Sequence, residues 1–134
     1  MQIYTDDSKV DEKVAAAAMS SVAPNNPFSC RLTDHCSIYT AELQAILFAL
    51  KQVYQSKEKK FMIFSDSLSA LQALKNFKTD HTLLIQIQEL LHKIYADKKE
   101  TIFMWVPGHI DIRRLVSYLF PALKPLTSKY VCEV

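Results

Sequence analysis

Glycine is almost absent from this chain of 134 residues, which contains a single one, Gly108. Dinucleotide- and nucleotide-binding folds hold phosphates in glycine-rich loops, because glycine lets the backbone approach the ligand closely. Actin-like ATPases depend on glycine in their phosphate loops for the same reason. The sequence therefore excludes these classes of phosphate-binding protein.

Cysteine and long hydrophobic runs are scarce as well. The three cysteines, Cys30, Cys36 and Cys132, are odd in number and match no zinc-binding spacing, so we expect reduced thiols rather than a disulfide framework. The sequence has no secretory signal segment and no run long enough to cross a membrane, which predicts a soluble intracellular protein without a membrane partner. We also expect a monomer.

Neither sign of charge dominates, because 16 basic residues stand against 14 acidic ones. Net charge therefore neither favours nor excludes a polyanionic partner. Short runs rich in basic residues occur at positions 57–60, 98–99 and 113–114. Such runs are typical of solvated turns and faces.

The sequence is rich in apolar residues, which make up 49% of it and suffice for one compact domain. Short apolar runs predict strands, and apolar residues spaced three and four apart predict helices. Strands are expected at residues 1–5, 13–19, 28–32, 61–65 and 101–106, and helices at about residues 40–55, 67–76 and from 80 onward. This order predicts an α/β domain whose five-stranded mixed sheet, a three-strand antiparallel meander plus parallel crossover strands, is flanked by helices.

Several acidic residues lie where predicted elements begin or end. Asp6 and Asp7 are expected to interrupt the first strand, and Asp80 to cap the third helix. Glu42 is expected in the first turn of the first helix, where the helix dipole favours an acid. Asp66 directly follows the strand at residues 61–65, at the carboxyl end where α/β sheets place their chemistry. Asp66 can also be interpreted simply as the N-cap of the next helix, a common use of aspartate.

Three of these acids are candidates for a metal site. If the first and fourth strands are neighbours, Asp6 and Asp66 face each other, and Glu42 reaches them from the helix that crosses the sheet. Three carboxylates without a Lys or Arg partner repel one another, and hard divalent cations such as Mg²⁺ or Mn²⁺ stabilise them. Two such ions, about 4 Å apart, can clamp a scissile phosphate.

Four segments, taken together and in order, resemble the successive motifs of ribonuclease H. They are residues 4–9 (YTDDSK), 39–43 (YTAEL), 64–67 (FSDS) and 105–109 (WVPGH). The resemblance extends over residues 1–110 and is closest to the variant carried by non-LTR retrotransposons, in which the domain is joined to a reverse transcriptase. It implies an RNase H-like fold and a two-metal endonuclease that cuts the RNA strand of an RNA–DNA hybrid.

The resemblance also implies roles for individual residues. Asp6, Glu42 and Asp66 match three of the four metal-binding acids of the family, which binds two Mg²⁺ or Mn²⁺ ions. His109 matches a histidine that assists proton transfer or product release, a role suited to a group that titrates near neutral pH. The remaining matches concern the substrate: Ser37 falls where the family contacts a phosphate, and Ser8 and Lys9 lie beside the groove. Recognition would use hybrid shape, phosphates and 2′-hydroxyls rather than base sequence.

The sequence departs from the family pattern at two places. Asp7 replaces a glycine, which adds a negative charge beside the substrate phosphates and is expected to weaken binding. Leu119 stands where the family has its fourth metal-binding acid, and residues 111–134 form a divergent tail that lacks the last motif. The tail has helical spacing around Leu115, so a short helix is possible there. Loss of the fourth acid is expected to weaken the second metal site.

Three functional hypotheses therefore remain open. The first is a ribonuclease H with activity reduced or lost through the missing acid. The second is a catalytically inactive, nucleic-acid-binding remnant of a retrotransposon. The third is a structural α/β domain whose acids only cap helices.

Overall fold

The computed structural model describes residues 2–10, 13–20, 28–31, 37–106 and 131–133, with side chains for Gln2, Ile3, Thr5 and residues 37–106. These residues form six strands and three helices. In chain order the elements are β1 (Gln2–Val10), β2 (Lys13–Ser20), β3 (Phe28–Arg31), α1 (Ile38–Gln55), β4 (Lys60–Ser65), α2 (Leu68–Ala73), α3 (Thr82–Ala96), β5 (Glu100–Trp105) and β6 (Val131–Glu133).

The strands form one mixed sheet in the order β3-β2-β1-β4-β5-β6. Its centre is a set of three parallel strands, β1, β4 and β5. The outer strands run antiparallel to their neighbours, with β2 and β3 extending one side as a meander and β6 closing the other. The predicted α/β class is confirmed, but the predicted count of five strands is wrong, because the described residues 131–133 in the tail add a sixth.

Strand β1 continues through the acids that were expected to interrupt it. Asp6 pairs with Ala17 of β2, and Asp7 pairs with Ala16. The strand propensity of aspartate is low, but pairing with an adjacent strand routinely overrides such a preference. As a result, β1 runs five residues beyond Thr5, to Val10, instead of ending at Thr5.

Helix α1 lies against the parallel strands and supplies much of the core. Its segment is rich in Ala, Leu and Gln, which favour helix, and nine of its residues are buried. All of these except Ala41 pack with Ile3, Ile63 and Phe103, one from each parallel strand, and with buried residues of α3. Its first turn holds no acid. The expectation for Glu42 is therefore wrong, because the helix begins at Ile38 and places that residue in the second turn.

The other helices differ from the sequence prediction at their ends. Helix α2 is shorter than the predicted span of residues 67–76. The N-cap of α3 is His81, and it makes no side-chain capping hydrogen bond, so the prediction that Asp80 caps this helix is wrong. None of the described helices combines the length and hydrophobicity that a membrane-spanning segment requires.

One of the basic runs expected to be solvated holds a buried side chain. The Lys99 side chain is 4% exposed, and its Nζ lies 3.5 Å from the Asp97 carboxylate. Nζ also donates hydrogen bonds to the carbonyls of Val53, Tyr54 and Ser56 at 3.0, 2.9 and 2.7 Å. The lysine thereby joins the start of β5 to the C-terminal end of α1.

Candidate active site

Asp66 lies in the connection between β4 and α2, where its side chain is half-buried. Two hydrogen bonds from the end of β5 hold this backbone. The Val106 N–H donates to the Ser65 carbonyl at 2.9 Å, and the Trp105 Nε1–H donates to the Asp66 carbonyl at 3.1 Å. The position of Asp66 is therefore fixed by the neighbouring strand as well as by β4.

Ser67, rather than Asp66, is the N-cap of α2. The Ser67 hydroxyl accepts a hydrogen bond from the Ala70 N–H at 3.3 Å, as a capping side chain does. The interpretation of Asp66 as the cap of this helix is therefore wrong. The Asp66 carboxylate does not cap α2.

Glu42 reaches the same turn from α1. Its side chain is half-buried, and its Oε2 accepts a hydrogen bond from the Ser67 Oγ–H. Because Ser67 directly follows Asp66 in the chain, this bond holds the Glu42 carboxylate against the turn that carries Asp66. The structure thus places the carboxylate of one predicted acid against the residue that follows another.

The backbone of Asp6 lies beside this turn. Strands β1 and β4 are paired in parallel up to Tyr4, which lies opposite Phe64, and the Thr5 hydroxyl donates a hydrogen bond to the Phe64 carbonyl at 3.1 Å. Asp6 and Asp66 each lie two residues beyond this last pair. The Asp6 side chain lies outside the described part of the structure.

Several other predicted site residues are described only in part or not at all. Asp7, Ser8 and Lys9 belong to β1 and pair with β2, but their side chains lie outside the description. His109 and Leu119 lie entirely outside the described residues, as does the short helix expected around Leu115. Their roles stay predictions.

Ser37 is exposed at the start of α1 and is the N-cap of this helix. Its hydroxyl accepts a hydrogen bond from the Thr40 N–H at 3.1 Å and shares a second with the Thr40 hydroxyl at 2.9 Å. The predicted contact between Ser37 and a substrate phosphate is not tested by this geometry. The Ser37 hydroxyl lies on the surface at the N-terminal end of α1, and Glu42 lies near the same end of this helix.

The chemistry of the described acids fits a hard divalent cation. Within residues 37–106, neither Glu42 nor Asp66 forms an ion pair with a lysine or arginine. Carboxylate oxygens are the ligands that Mg²⁺ and Mn²⁺ prefer. Among the side chains that the structure describes, no group of three His, Cys, Asp or Glu could hold a metal ion. The third predicted ligand, Asp6, is not among those side chains.

Two residues at this site were missed by the sequence analysis. Ser67 and Trp105 lie in two of the four motif segments but were given no role at the site, yet Ser67 holds Glu42 and Trp105 holds the backbone of Asp66. For Ser67 the available signal was a hydroxyl directly after Asp66, whereas Trp105 is 39 residues away in the chain and no local signal marked it.

Comparison with known families identifies the group to which this chain belongs. The model of the RNase H family matches residues 1–114, a span that contains Asp6, Glu42 and Asp66 and ends before Leu119. A search of curated proteins found no match to the chain. With most of its length matched, the chain belongs to the RNase H family.

Proposed function

We propose that this chain is a divalent-metal-dependent ribonuclease H that hydrolyses the RNA strand of RNA–DNA hybrids. Family membership supports a nuclease of this type. The observation that carries the proposal is the hydrogen bond from Ser67 to Glu42, because it joins the acid on α1 to the turn of Asp66.

Asp6, Glu42 and Asp66 would hold the metal ions. When bound, a pair of Mg²⁺ or Mn²⁺ ions would stabilise the attacking and leaving oxygens of a scissile phosphate. The protein's own contribution is to place the carboxylates before the substrate arrives. Trp105 contributes to this by holding the backbone of Asp66, and Ser67 by holding Glu42.

Substrate recognition would involve residues on both sides of these acids. Ser37 is exposed on the helix of Glu42, and we infer that its hydroxyl contacts a phosphate of the hybrid. Ser8 and Lys9 follow Asp6 in β1, where they would lie beside the groove. His109 would assist proton transfer or product release. Asp7 would repel the phosphates and weaken hybrid binding.

The activity is proposed to be reduced relative to a ribonuclease H with all four acids. Leu119 cannot ligate a metal ion, so one cation site has one negative ligand fewer. The resemblance to the variant carried by non-LTR retrotransposons supports an origin in such an element, where the domain would be part of a larger reverse-transcriptase polyprotein. In that setting weak cleavage would still remove RNA from a hybrid.

Cleavage of an end-labelled RNA–DNA hybrid in Mg²⁺ or Mn²⁺ tests the proposal. We expect slow, metal-dependent cleavage of the RNA strand by the wild-type chain and none by Asp66→Asn. Asp80→Asn is a matched control, because Asp80 is an exposed acid outside the site and should cut like wild type. Equal cutting by wild type and Asp66→Asn would point to a contaminating nuclease and refute the proposal.

A catalytically inactive, hybrid-binding remnant is the second candidate, and Leu119 is the observation that favours it. In that case the chain would retain hybrid binding, while cleavage would be absent even at millimolar Mn²⁺. A gel-shift assay with the same labelled hybrid distinguishes the two functions. Binding without cleavage favours the remnant, and binding with metal-dependent cleavage favours the enzyme.

A further inference from the structure

The hydroxyl of Ser67 makes hydrogen bonds in two directions at once. Its oxygen accepts from the Ala70 N–H at 3.3 Å, and its proton is donated to Glu42 Oε2. The residue is 5% exposed, so water has little access to compete for either bond. Ser67 therefore links the first turn of α2 to an acid 25 residues earlier in the chain.

The direction of the bond to Glu42 follows from the chemistry of the two groups. An ionised carboxylate can only accept, and a serine hydroxyl has a single proton to give. The Ala70 N–H occupies an acceptor site of the hydroxyl, so the proton remains for the carboxylate. The hydroxyl of Ser69 lies farther away, at 3.4 Å from the Ser67 oxygen. Within the described residues, no other group hydrogen-bonds the Glu42 side chain.

We propose that Ser67 is a positioning residue that orients the Glu42 carboxylate for a divalent cation. By holding Oε2, the hydroxyl restricts the rotamers of a flexible side chain and leaves Oε1 to serve as a metal ligand. The entropy cost of ordering Glu42 is then met on folding rather than on metal binding. The inference rests on the proposed function, because it assumes that Glu42 is a metal ligand.

Mn²⁺ titrations of three Ser67 variants test this role. Ser67→Ala removes both hydrogen bonds of the hydroxyl. Ser67→Gly also removes the donor to Glu42, but glycine is a tolerated N-cap, so α2 should be less disturbed. Ser67→Thr keeps a hydroxyl and is the rescue variant. Ser69→Ala is the matched control, since it removes a neighbouring hydroxyl and leaves the bond to Glu42 in place.

The readout is the dissociation constant of Mn²⁺, measured by calorimetry and by the metal-dependent rise in melting temperature. We expect it to increase about tenfold or more in Ser67→Ala and Ser67→Gly, a typical effect of removing a group that orients a metal ligand. It should stay near the wild-type value in Ser67→Thr and Ser69→Ala. In cleavage assays, the Mn²⁺ concentration for half-maximal rate should shift in parallel, with the KM for the hybrid unchanged.

The outcomes separate this inference from the proposed function. If wild type binds Mn²⁺ and Asp66→Asn does not, the metal site is supported, and unchanged affinity in Ser67→Ala and Ser67→Gly would overturn the role of Ser67 alone. If wild type itself shows no Mn²⁺ binding, both the metal site and the role of Ser67 are refuted. If Ser67→Ala and Ser67→Gly bind Mn²⁺ more weakly than wild type and Ser67→Thr binds it normally, both the metal site and the role of Ser67 are supported.

Discussion

Lys99 shows at the scale of one residue how backbone carbonyls can accept the hydrogen bonds of a buried ammonium group. An ammonium group has three protons, and Nζ of Lys99 has three carbonyl partners at the end of α1. The C-terminal end of a helix carries unpaired carbonyls and a partial negative charge, so a cation is favoured there. Helix α1 has no basic residue in its own last turn. Lys99 supplies that charge from a distant part of the chain.

We predict that Lys99→Met lowers the free energy of unfolding by about 2–4 kcal/mol. Methionine keeps the apolar bulk but leaves the carbonyls of Val53, Tyr54 and Ser56 without their charged donor, and hydrogen bonds to charged groups contribute about 1.5–3 kcal/mol. The measurement is urea denaturation without added metal. Lys98→Met is the control, because Lys98 is exposed and should change stability by less than about 0.5 kcal/mol. Equal stability of the two variants would contradict this account.

The backbone before Lys99 explains how it reaches this position. Helix α3 ends in a Schellman motif, in which the Lys98 N–H donates to the Tyr95 carbonyl at 3.0 Å and the Lys99 N–H to the Ile94 carbonyl at 3.2 Å. Lys98 has a φ of 57°, the left-handed conformation that glycine usually occupies in this motif. In a chain with so little glycine, a lysine takes this place.

At the scale of elements, the site depends on how the end of β5 holds the connection after β4. Among the described strands, β5 is the parallel neighbour of β4 on the side away from β1, and its last residue, Trp105, pairs with Ser65. Beyond that pair, the Val106 N–H donates to the Ser65 carbonyl, and the Trp105 indole adds a side-chain bond to the Asp66 carbonyl. Strand pairing and this bond together place Asp66.

We predict that Trp105→Phe lowers stability by about 1 kcal/mol, because the Asp66 carbonyl loses a neutral donor. It should also weaken Mn²⁺ binding by up to about tenfold, because the backbone that carries a metal ligand is less constrained. Calorimetry and urea denaturation give the two values.

Thr101→Val is the control on the same strand. The Thr101 hydroxyl is buried and has no hydrogen-bond partner among the described residues, so replacing it should leave stability equal or higher and Mn²⁺ affinity unchanged. Weakened Mn²⁺ binding in Thr101→Val, or wild-type binding in Trp105→Phe, would contradict the role given to Trp105.

The elements also show what the sequence could and could not predict. The long helix α1 begins two residues before its predicted start at residue 40 and ends at Gln55 as predicted, because its apolar period is a local property. The extension of β1 through Asp6 was not predictable, since it depends on pairing with β2. Asp66 was predicted as a site residue because it follows a buried strand, whereas the bond from Ser67 to Glu42 depends on tertiary structure. Local patterns reveal elements, and contacts between distant residues remain hidden.

At the scale of the whole molecule, we expect the proposed site to lower stability when no metal is bound. The Ser67 hydroxyl holds the Glu42 carboxylate against the residue that follows Asp66, and within the described residues no lysine or arginine pairs with either acid. Like charges close together disfavour the folded state. Active sites commonly cost stability in this way, and removing the charge then stabilises the protein while it abolishes function.

We therefore predict that the order of stability of wild type and Asp66→Asn reverses when metal is added. In EDTA, Asp66→Asn should be more stable by about 0.5–1 kcal/mol, because one negative charge at the proposed site is gone. With Mn²⁺ at ten times its dissociation constant, wild type should gain about 1.4 kcal/mol and the variant almost none. For a domain of this size the gain corresponds to roughly 4–6 °C in Tm.

Thermal unfolding with and without Mn²⁺ measures both effects, with Asp80→Asn expected to follow wild type throughout. An equal gain in wild type and Asp66→Asn would mean that the cation binds elsewhere, and the convergence of acids would then need another explanation.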